Sequence, residues 1–260
     1  MHAVPKLLIR HRSTGARCMR PTASAALLGT LLLLLAPLAA RSADCAPDAG
    51  ASLQSALMTP GFLQAHPDLH WRELGLQSWR QGRPDHALVR FKRAAAHADK
   101  LSQSLVARMY QEGTGTAPDP VLAYIWMDLA AERGYRDLLL ERERYWNRLD
   151  AAQRQRVLAE GPALYAAYGD ATAKPRMEAA MRVGRSGMTG SRTGWVSSML
   201  QVELSDGPEA GWPTRGDDYY RDAYWDPAAY WCMQDRIWEQ EFRGRSVEVG
   251  PLSPVGGAGR

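Results

Sequence analysis

A set of small and bulky apolar residues, repeated at a constant distance, constrains the fold of this chain more than any other feature. In the segment Tyr110–Gly134 these residues fall three, four and seven positions apart, which places them on one stripe of an α-helix. The same residue types stand 36 positions earlier. The matched pairs are Ala87 with Ala123, Phe91 with Met127, Ala94 with Ala130, and Ala95 with Ala131. A repeat of this length predicts helical hairpins that stack on one another.

Residues typical of helix ends divide each copy into two helices. Asp119 is a predicted N-cap, and Pro120 fits the first helical position because proline has no N–H to leave unpaired. Gly134 is expected just past the end of that helix. Gly113 and Gly115 lie in the connecting loop, where they allow backbone angles that a side chain would forbid. The earlier copy has a shorter loop without the second glycine.

The second copy resembles the Sel1-like repeat, and the first is intermediate between Sel1-like and tetratricopeptide repeats. The resemblance covers about residues 66–135. It is carried by Tyr110, Gly113, Gly115, Asp119, Ala123, Trp126, Ala130, Ala131 and Gly134. It implies an α/α solenoid that acts as an adaptor for protein assemblies. Some secreted relatives, with a disulfide in each repeat, are linked to β-lactam binding or hydrolysis. Neither copy here contains a cysteine, so that activity is not expected.

Residues 1–43 have the layout of a bacterial signal peptide. A basic stretch precedes the uncharged apolar run Ala23–Ala40, and small residues follow it. Met19 is a second candidate start. Cleavage predicts a periplasmic or secreted protein without a stable membrane span, and a retained N-terminal anchor is the alternative. Asp44 stands where a lipidated Cys45 would need a small residue, so lipidation is not expected.

Removing this leader reverses the charge of the chain. The full sequence has a formal net charge of +4, but residues 1–43 hold six of its 32 basic residues and none of its 28 acidic ones. The remainder has 26 basic and 28 acidic residues, a net charge of −2. The basic character therefore belongs to the leader, and nucleic-acid binding is not expected.

The predicted fold class is all-α: a solenoid of Sel1/TPR-like helical hairpins followed by a mixed, partly irregular C-terminal extension with a short strand pair and one helix. The predicted strands are Ser197–Leu204 and Arg245–Leu252, and the predicted helix follows Asp226-Pro227. Gly161-Pro162 is expected to break or kink a helix. The segment Arg185–Gly194 is expected to form a turn, with an anion-binding loop as the alternative. The predicted divisions are an N-terminal segment 44–65, a repeat domain 66–169, an aromatic-rich extension 170–250 and a disordered tail 251–260.

Aromatic residues concentrate in the C-terminal extension. Five of the nine tryptophans lie between Trp195 and Trp238, among tyrosines and aspartates. Such a segment either packs against the solenoid or forms a cell-wall or glycan-binding surface, and we favour packing. A glycan-cleaving hydrolase is a further alternative, although no carboxylate pair is fixed at a known separation.

Two smaller patterns suggest a disulfide bond and a metal site. Cys45 and Cys232 remain after the leader is removed, and a disulfide between them would stabilise the fold by about 5 kcal/mol through its long loop. Inert, unpaired cysteines are the alternative. His66, His70 and Glu73 have helical spacing for metal ligands. Pro67, however, suits the first position of a helix, which would make His66 a cap rather than a ligand.

The sequence therefore predicts an exported adaptor that binds a protein partner, with no catalytic residue, cofactor or metal. The candidate contacts are residues expected on the solvent side of the repeats. They are Arg72, Gln77, Arg108, Tyr124 and Asp128.

Overall fold

The computed structural model describes residues 59–189, 199, 201–203 and 213–242. The predicted leader, residues 44–58 and the predicted tail lie outside this part of the chain. The helices are α1 (Pro60–Ala65), α2 (Pro67–Arg80), α3 (Pro84–Ala95), α4 (Lys100–Glu112), α5 (Pro120–Ala130), α6 (Arg136–Arg148), α7 (Ala151–Tyr168), α8 (Asp170–Thr189), α9 (Gly216–Tyr219), α10 (Asp222–Trp225) and α11 (Pro227–Phe242). A 3₁₀ turn spans Ala131–Arg133, and two strands, β1 (Gln201–Glu203) and β2 (Pro213–Arg215), are also present.

The predicted helical hairpins are confirmed. Helix α2 packs along α3, α4 packs along α5, and α3 contacts α4, so that two hairpins stack side by side. Helices α6 and α7 both pack on α5 and continue the stack. The fold of this part is therefore a short all-α array of helix pairs.

The predicted helix caps form because they satisfy backbone N–H groups that a helix end leaves unpaired. The carboxylate of Asp119 accepts hydrogen bonds from the N–H groups of Val121 and Leu122, at 2.9 and 3.1 Å. Pro120 occupies the first turn of α5. Asp150 forms a capping box with Gln153 at the start of α7. Local sequence therefore sets where these helices begin.

The glycines of the second hairpin are required by its loop. Gly113 and Gly115 have φ angles of +72° and +75°, which side chains rarely tolerate. A Cβ atom on Gly115 would also lie 2.6 Å from the carbonyl carbon and oxygen of Pro84. Gly115 thus lets the loop of the second hairpin approach the start of α3 in the first.

The offset of 36 residues extends to the backbone. Ala98 follows α3 and has a φ of +64°, and Gly134 follows the 3₁₀ turn after α5 with a φ of +81°. Within the part of the chain that the structure describes, Ala98 is the one residue other than glycine with positive φ. The two copies therefore end in the same left-handed turn, even where the first copy carries alanine.

The repeat residues form the first core, which joins α3 to α7. All eight residues matched at the offset of 36 are buried, and Ala87, Ala94, Ala123 and Ala130 are fully so. Small side chains at these positions let helix axes approach closely, and larger ones such as Trp126 fill the space beside them. The hydroxyl of Tyr110, another motif residue, accepts a hydrogen bond from the ammonium of Lys92 at 2.7 Å.

A second core joins the beginning of the described chain to its end. Its members come from α1, α2, α8, α9, α10 and α11. They are mainly aromatic residues and methionines, with Trp225, Tyr219, Tyr230 and Phe62 the largest of the fully buried ones. Helix α1 is held between α8 and α10 by this cluster, because Phe62 packs edge-on against Tyr224 and Trp225.

The predicted fold class is wrong in its C-terminal part. The described residues of the extension are mainly helical, with α8, α9, α10 and α11 in place of one helix. The predicted strand pair is not found. Residues 201–203 instead form a three-residue antiparallel bridge with 213–215, in a stretch expected to be loop. The second predicted strand, 245–252, lies outside the described residues. Alternation over only a few residues is too weak a signal to fix strand pairing.

Two further local expectations are corrected. Helix α7 continues through Pro162, so Gly161-Pro162 does not break it. The carbonyl of Leu158, which proline leaves without its helical partner, belongs to an exposed residue where water can replace the lost bond. Residues 185–189, expected in a turn, form the last part of α8.

Candidate functional site

Two of the five predicted contact residues lie on the surface. Gln77 on α2 and Arg108 on α4 are exposed. Both stand on the first helix of their hairpin. Arg108 acts electrostatically on the buried Tyr145 of α6, together with Glu112, Glu141 and Arg148. Arg108, Glu112 and Arg148 are exposed and Glu141 is partly exposed, and we call these four charged side chains of α4 and α6 the mixed-charge face.

Two predicted contacts are not solvent-side residues. Tyr124 is only 5% exposed, and its ring packs against Trp146 with centroids 5.0 Å apart. The side chain of Arg72 is 16% exposed and donates to Asp99 at 2.9 Å. The prediction failed for Tyr124 because α5 is covered on two sides by α6 and α7, so almost its whole circumference is buried.

Asp128, the fifth predicted contact, is half-buried within a polar network. Its carboxylate accepts a hydrogen bond of 2.8 Å from the hydroxyl of Tyr165 and lies 3.5 Å from the guanidinium of Arg142. Burial raises the pKa of Asp128, although the Tyr165 hydrogen bond and the Arg142 charge lower it. Burial and then the Asp128 charge raise the pKa of Tyr165. The network links α5, α6 and α7, and its polar atoms bond to one another between these helices.

A second set of charges lies where the two cores meet. We call Lys100, Glu132, Arg133 and Asp170 the junction cluster. The ammonium of Lys100 lies 2.9 Å from Asp170 and 3.0 Å from Glu132, and it also donates to the carbonyl of Leu129 at 2.8 Å. Arg133 donates to both carboxylate oxygens of Asp170, at 2.8 and 3.2 Å. The cluster fixes the start of α8 against α4 and the end of α5.

Burial and pairing oppose one another in this cluster. Burial lowers the pKa of Lys100, although Asp170 raises it. Burial alone would raise the pKa of Asp170, but Arg133 and Lys100 outweigh this and lower it to about 2. The side chain of Lys100 is fully buried, so it cannot reach a substrate in solvent. The arrangement is that of a structural ion-pair network.

Trp231 of α11 extends the junction cluster into the second core. The guanidinium of Arg133 lies 4.8 Å from its ring centroid and the ammonium of Lys174 lies 5.1 Å from it, both within cation–π range. The indole N–H donates to Glu178 at 3.0 Å. Helix α11 is therefore tied to the repeats by polar as well as apolar contacts.

A third polar group is enclosed within the second core. Asp68 is 3% exposed and accepts a hydrogen bond of 2.5 Å from the hydroxyl of Tyr230, while its other oxygen has no hydrogen-bond partner. Burial raises the pKa of Asp68, and the charge of His66 lowers it. Burial and the Asp68 charge raise the pKa of Tyr230. This site is sealed from solvent.

The metal interpretation of His66, His70 and Glu73 is wrong. His66 lies between α1 and α2 as the N-cap, with Pro67 at the first helical position, as its sequence context predicts. Its Nδ1 is 2.8 Å from the carbonyl oxygen of Phe62, and its Nε2 is 2.7 Å from that of Tyr224. Each ring nitrogen thus faces a carbonyl oxygen, which leaves neither nitrogen for a metal ion. Among the described residues, no group of three or more His, Cys, Asp or Glu side chains converges on a point that could hold a metal.

The described C-terminal aromatics from Tyr219 to Trp231 are core residues, and Trp238 is partly buried against Tyr135. Tyr219, Tyr224, Trp225 and Tyr230 are all buried. A sugar ring cannot stack on such side chains, so they give no support to a glycan-binding surface. Trp195 and Trp212, part of the same predicted surface, lie outside the described residues.

Cys232, on α11, is disulfide-bonded. Its partner falls outside the described part of the chain. The pairing with Cys45 therefore stays a prediction.

Within the described residues, no helix combines the length and apolar character needed to cross a bilayer. The apolar run Ala23–Ala40 is not among those residues.

The sequence interpretation missed Lys100, Arg133 and Asp170, which form buried ion pairs, and Asp68, which forms a buried hydrogen bond with Tyr230. A signal exists only for Asp170, which directly follows Gly169 and precedes a helical pattern, as capping residues do. For the others, the partners are 30 to 160 residues away in sequence. Charged side chains on amphipathic helices are ordinarily read as solvent-facing.

Comparisons with protein-family models and with curated proteins give no match. Among solved structures, the chain is similar to c5321, a protective antigen present in uropathogenic Escherichia coli strains that displays an SLR fold, at 22% sequence identity and a TM-score of 0.36. The alignment covers 43% of this chain and 25% of that chain, so it spans about a quarter of the antigen. A likeness at this TM-score carries no argument, and the repeat assignment rests on the hairpins described above.

Proposed function

We propose that this chain is an exported, non-enzymatic helical-repeat adaptor that binds a protein partner through the exposed side of α2, α4 and α6. The observation that carries the proposal is the mixed-charge face formed by Arg108, Glu112, Glu141 and Arg148. Stacked repeats bind their partners through surfaces that extend over successive helix pairs. Gln77 lies on the corresponding first helix of the preceding hairpin.

The internal use of the other polar groups supports a binding role over a chemical one. The Asp128 network, the junction cluster and Asp68 all form contacts inside the protein, and Lys100 and Asp68 are sealed from solvent. A catalytic acid, base or nucleophile has to reach its substrate. The charged side chains at the surface of α4 and α6, by contrast, are available to a ligand.

Export is part of the same proposal. It is supported by the basic, apolar and small-residue order of residues 1–43. A bacterial periplasmic or secreted location also suits the disulfide bond of Cys232, because disulfides persist in oxidising compartments.

A crosslinking pull-down from bacterial cell-envelope extract tests the proposal. We expect the full chain to recover a specific protein, and Arg108→Glu to reduce its recovery about tenfold or more because a central charge of the face is reversed. The matched control is Arg182→Glu on α8, whose side chain is 62% exposed and lies outside the face. Equal recovery by both variants would place the interface elsewhere, and recovery of no specific protein would contradict the adaptor role.

A salt titration separates a charge-based interface from an apolar one. Exposed charge pairs are screened over about 8 Å at physiological ionic strength, so recovery should fall as salt rises. Sedimentation with peptidoglycan is the companion experiment. Binding there that survives Arg108→Glu would favour a wall-binding protein over an adaptor.

A further inference from the structure

Helix α6 is the repeat equivalent of helix α4. Helix α4 spans Lys100–Glu112 and α6 spans Arg136–Arg148, so both ends differ by 36 positions, the offset that relates the two copies of the repeat. Successive repeats place equivalent side chains at the same level along neighbouring units. The two helices that carry the mixed-charge face can therefore be compared position by position.

The charges that α4 contributes to this face are not used inside the protein. Arg108 and Glu112 are exposed and four residues apart, so they are neighbours on one side of the helix. Among the described residues, no ion pair within 4.0 Å includes Arg108, Glu112 or Arg148. On α7, Arg156 and Glu160 have the same order and spacing as the α4 pair and do meet, at 2.8 Å. The α4 charges are therefore available to a partner.

Helix α6 carries the same two signs on its part of the face. Glu141 precedes Arg148 by two turns, and Arg144 between them is paired with Glu141. With the offset of 36 applied, the midpoint between Arg108 and Glu112 falls within two residues of the midpoint between Glu141 and Arg148. Two residues correspond to about 3 Å along a helix. One level across the face thus divides the charges of both helices.

Such a face is complementary to itself. A two-fold axis that crosses both helices at this level runs each helix antiparallel to its own copy and reverses the order of its charges. Arg108 then faces Glu112 of the second copy, and Arg148 faces Glu141 of the second copy. Each pairing occurs twice, because a two-fold interface uses the same patch on both chains. A partner with charges of one sign would instead meet like charges at half of these positions.

The same helices also expose apolar side chains. Leu101 of α4 is 36% exposed and lies seven positions before Arg108. Leu140 of α6 is 40% exposed and lies eight positions before Arg148. These spacings place each leucine on the same side of its helix as the charge. The leucines supply apolar area for an interface, which matters because exposed ion pairs alone contribute little.

We propose that the partner of the mixed-charge face is a second copy of this chain, docked about a two-fold axis with α4 antiparallel to α4 and α6 antiparallel to α6. The inference rests on the proposed binding role of this face and names its occupant. Four ion pairs join the two chains, two from each helix. Because these pairs lie at the surface, the dimer dissociates as the salt concentration rises.

Analytical ultracentrifugation of the purified full chain is the first test. We expect a monomer–dimer equilibrium that shifts toward the monomer as salt rises. Arg108→Glu and Glu112→Arg should each raise the dissociation constant at least about tenfold, because each replaces attractive pairs by repulsive ones. Arg182→Glu on α8 is the matched control and should leave the constant unchanged. A wild type that sediments as a monomer at every concentration would overturn the proposal.

Exchanging the charges is the sharper test. The double variant Arg108→Glu/Glu112→Arg should regain the affinity of the wild type to within about threefold, because both chains change together and every pair is again attractive. Mixing the two single variants should likewise give a dimer that neither forms alone. Recovery in the double variant also excludes a folding defect as the cause of the losses. A double variant that remains monomeric would contradict the antiparallel pairing.

The envelope pull-down separates this inference from the adaptor role. A monomeric wild type that still recovers a specific envelope protein through Arg108 would overturn the dimer and leave the adaptor role standing. A dimer that recovers no other envelope protein would support the inference and contradict the adaptor role.

Discussion

The two cores of this protein are built on different principles. The first core is a seam of alanines and larger apolar residues from α3 to α7, and it repeats at an offset of 36 residues. The second core is aromatic, contains the buried charges of the Asp68 site, and joins residues near 62 to residues near 225. The comparison teaches that a periodic pattern specifies neighbours along the chain. Contacts between distant segments need large side chains and polar specificity.

The largest predicted effect tests the second core at its centre. Trp225→Ala should lower the free energy of unfolding by about 3–5 kcal/mol, because it removes a ring that contacts Phe62, His66 and Tyr219 and leaves a cavity. Urea denaturation checks this. Trp79→Ala is the control, since Trp79 is 43% exposed, and it should cost about 0.5 kcal/mol or less. Equal losses in the two variants would mean that the second core contributes little.

The junction between the cores comes next. Lys100→Met should destabilise the protein by about 3 kcal/mol, because it removes a buried cation that pairs with both Asp170 and Glu132. Arg182→Met, which removes an exposed and loosely paired charge, should change the stability by less than about 0.5 kcal/mol. Thermal and urea unfolding measure both. A neutral Lys100→Met variant would show that apolar contacts alone hold the two cores together.

Acid should weaken the same junction with a definite sign. The pKa of Asp170 is lowered to about 2 in the folded protein, below its value of about 3.9 in an unfolded chain. Its ion pairs therefore contribute in full above about pH 5 and are lost as the pH falls through about 2, a loss of about 2 kcal/mol. Unfolding measured from pH 6 to pH 2 should show a shallower decline for Asp170→Asn than for the wild type. Parallel curves would contradict the assignment.

The smallest effect is a difference of about 1 kcal/mol between two glycine variants, and it separates backbone strain from close approach in the first core's hairpins. Gly115→Ala should cost about 2 kcal/mol or more, because it combines positive φ with a contact of 2.6 Å to the Pro84 backbone. Gly82→Ala is matched in φ, at +68°, but meets nothing within 4 Å, so it should cost only about 1 kcal/mol. Urea unfolding compares them. Equal costs would show that the loop of the second hairpin can move away from α3.

How much the sequence predicted differs between the two cores for a physical reason. The hairpins, the caps at Asp119 and Asp150, and the buried alanines follow from short-range patterns, and the structure confirms them. The exposure of Tyr124 was misjudged because it depends on α6 and α7, whose packing on α5 is a tertiary property.

The candidate site was predictable only in part. Gln77 and Arg108 are exposed as expected, while Arg72 forms an ion pair with Asp99. The pairs Asp68–Tyr230 and Lys100–Asp170 join segments that no periodicity relates. The predicted strand pair is wrong because short, weak alternation does not identify the partner of a strand.

Closure of the second core has a consequence for biosynthesis. The carbonyl oxygen that lies 2.7 Å from Nε2 of His66 belongs to a residue 158 positions later in the chain. At about 5–20 residues per second, a ribosome needs roughly 8–30 s to reach it. Helices α3 to α7 contact one another within that interval and can form during elongation. Phe62 of α1 cannot make its contacts with Tyr219, Tyr224 and Trp225 until then, so this helix is a segment of the nascent polypeptide that would need a chaperone.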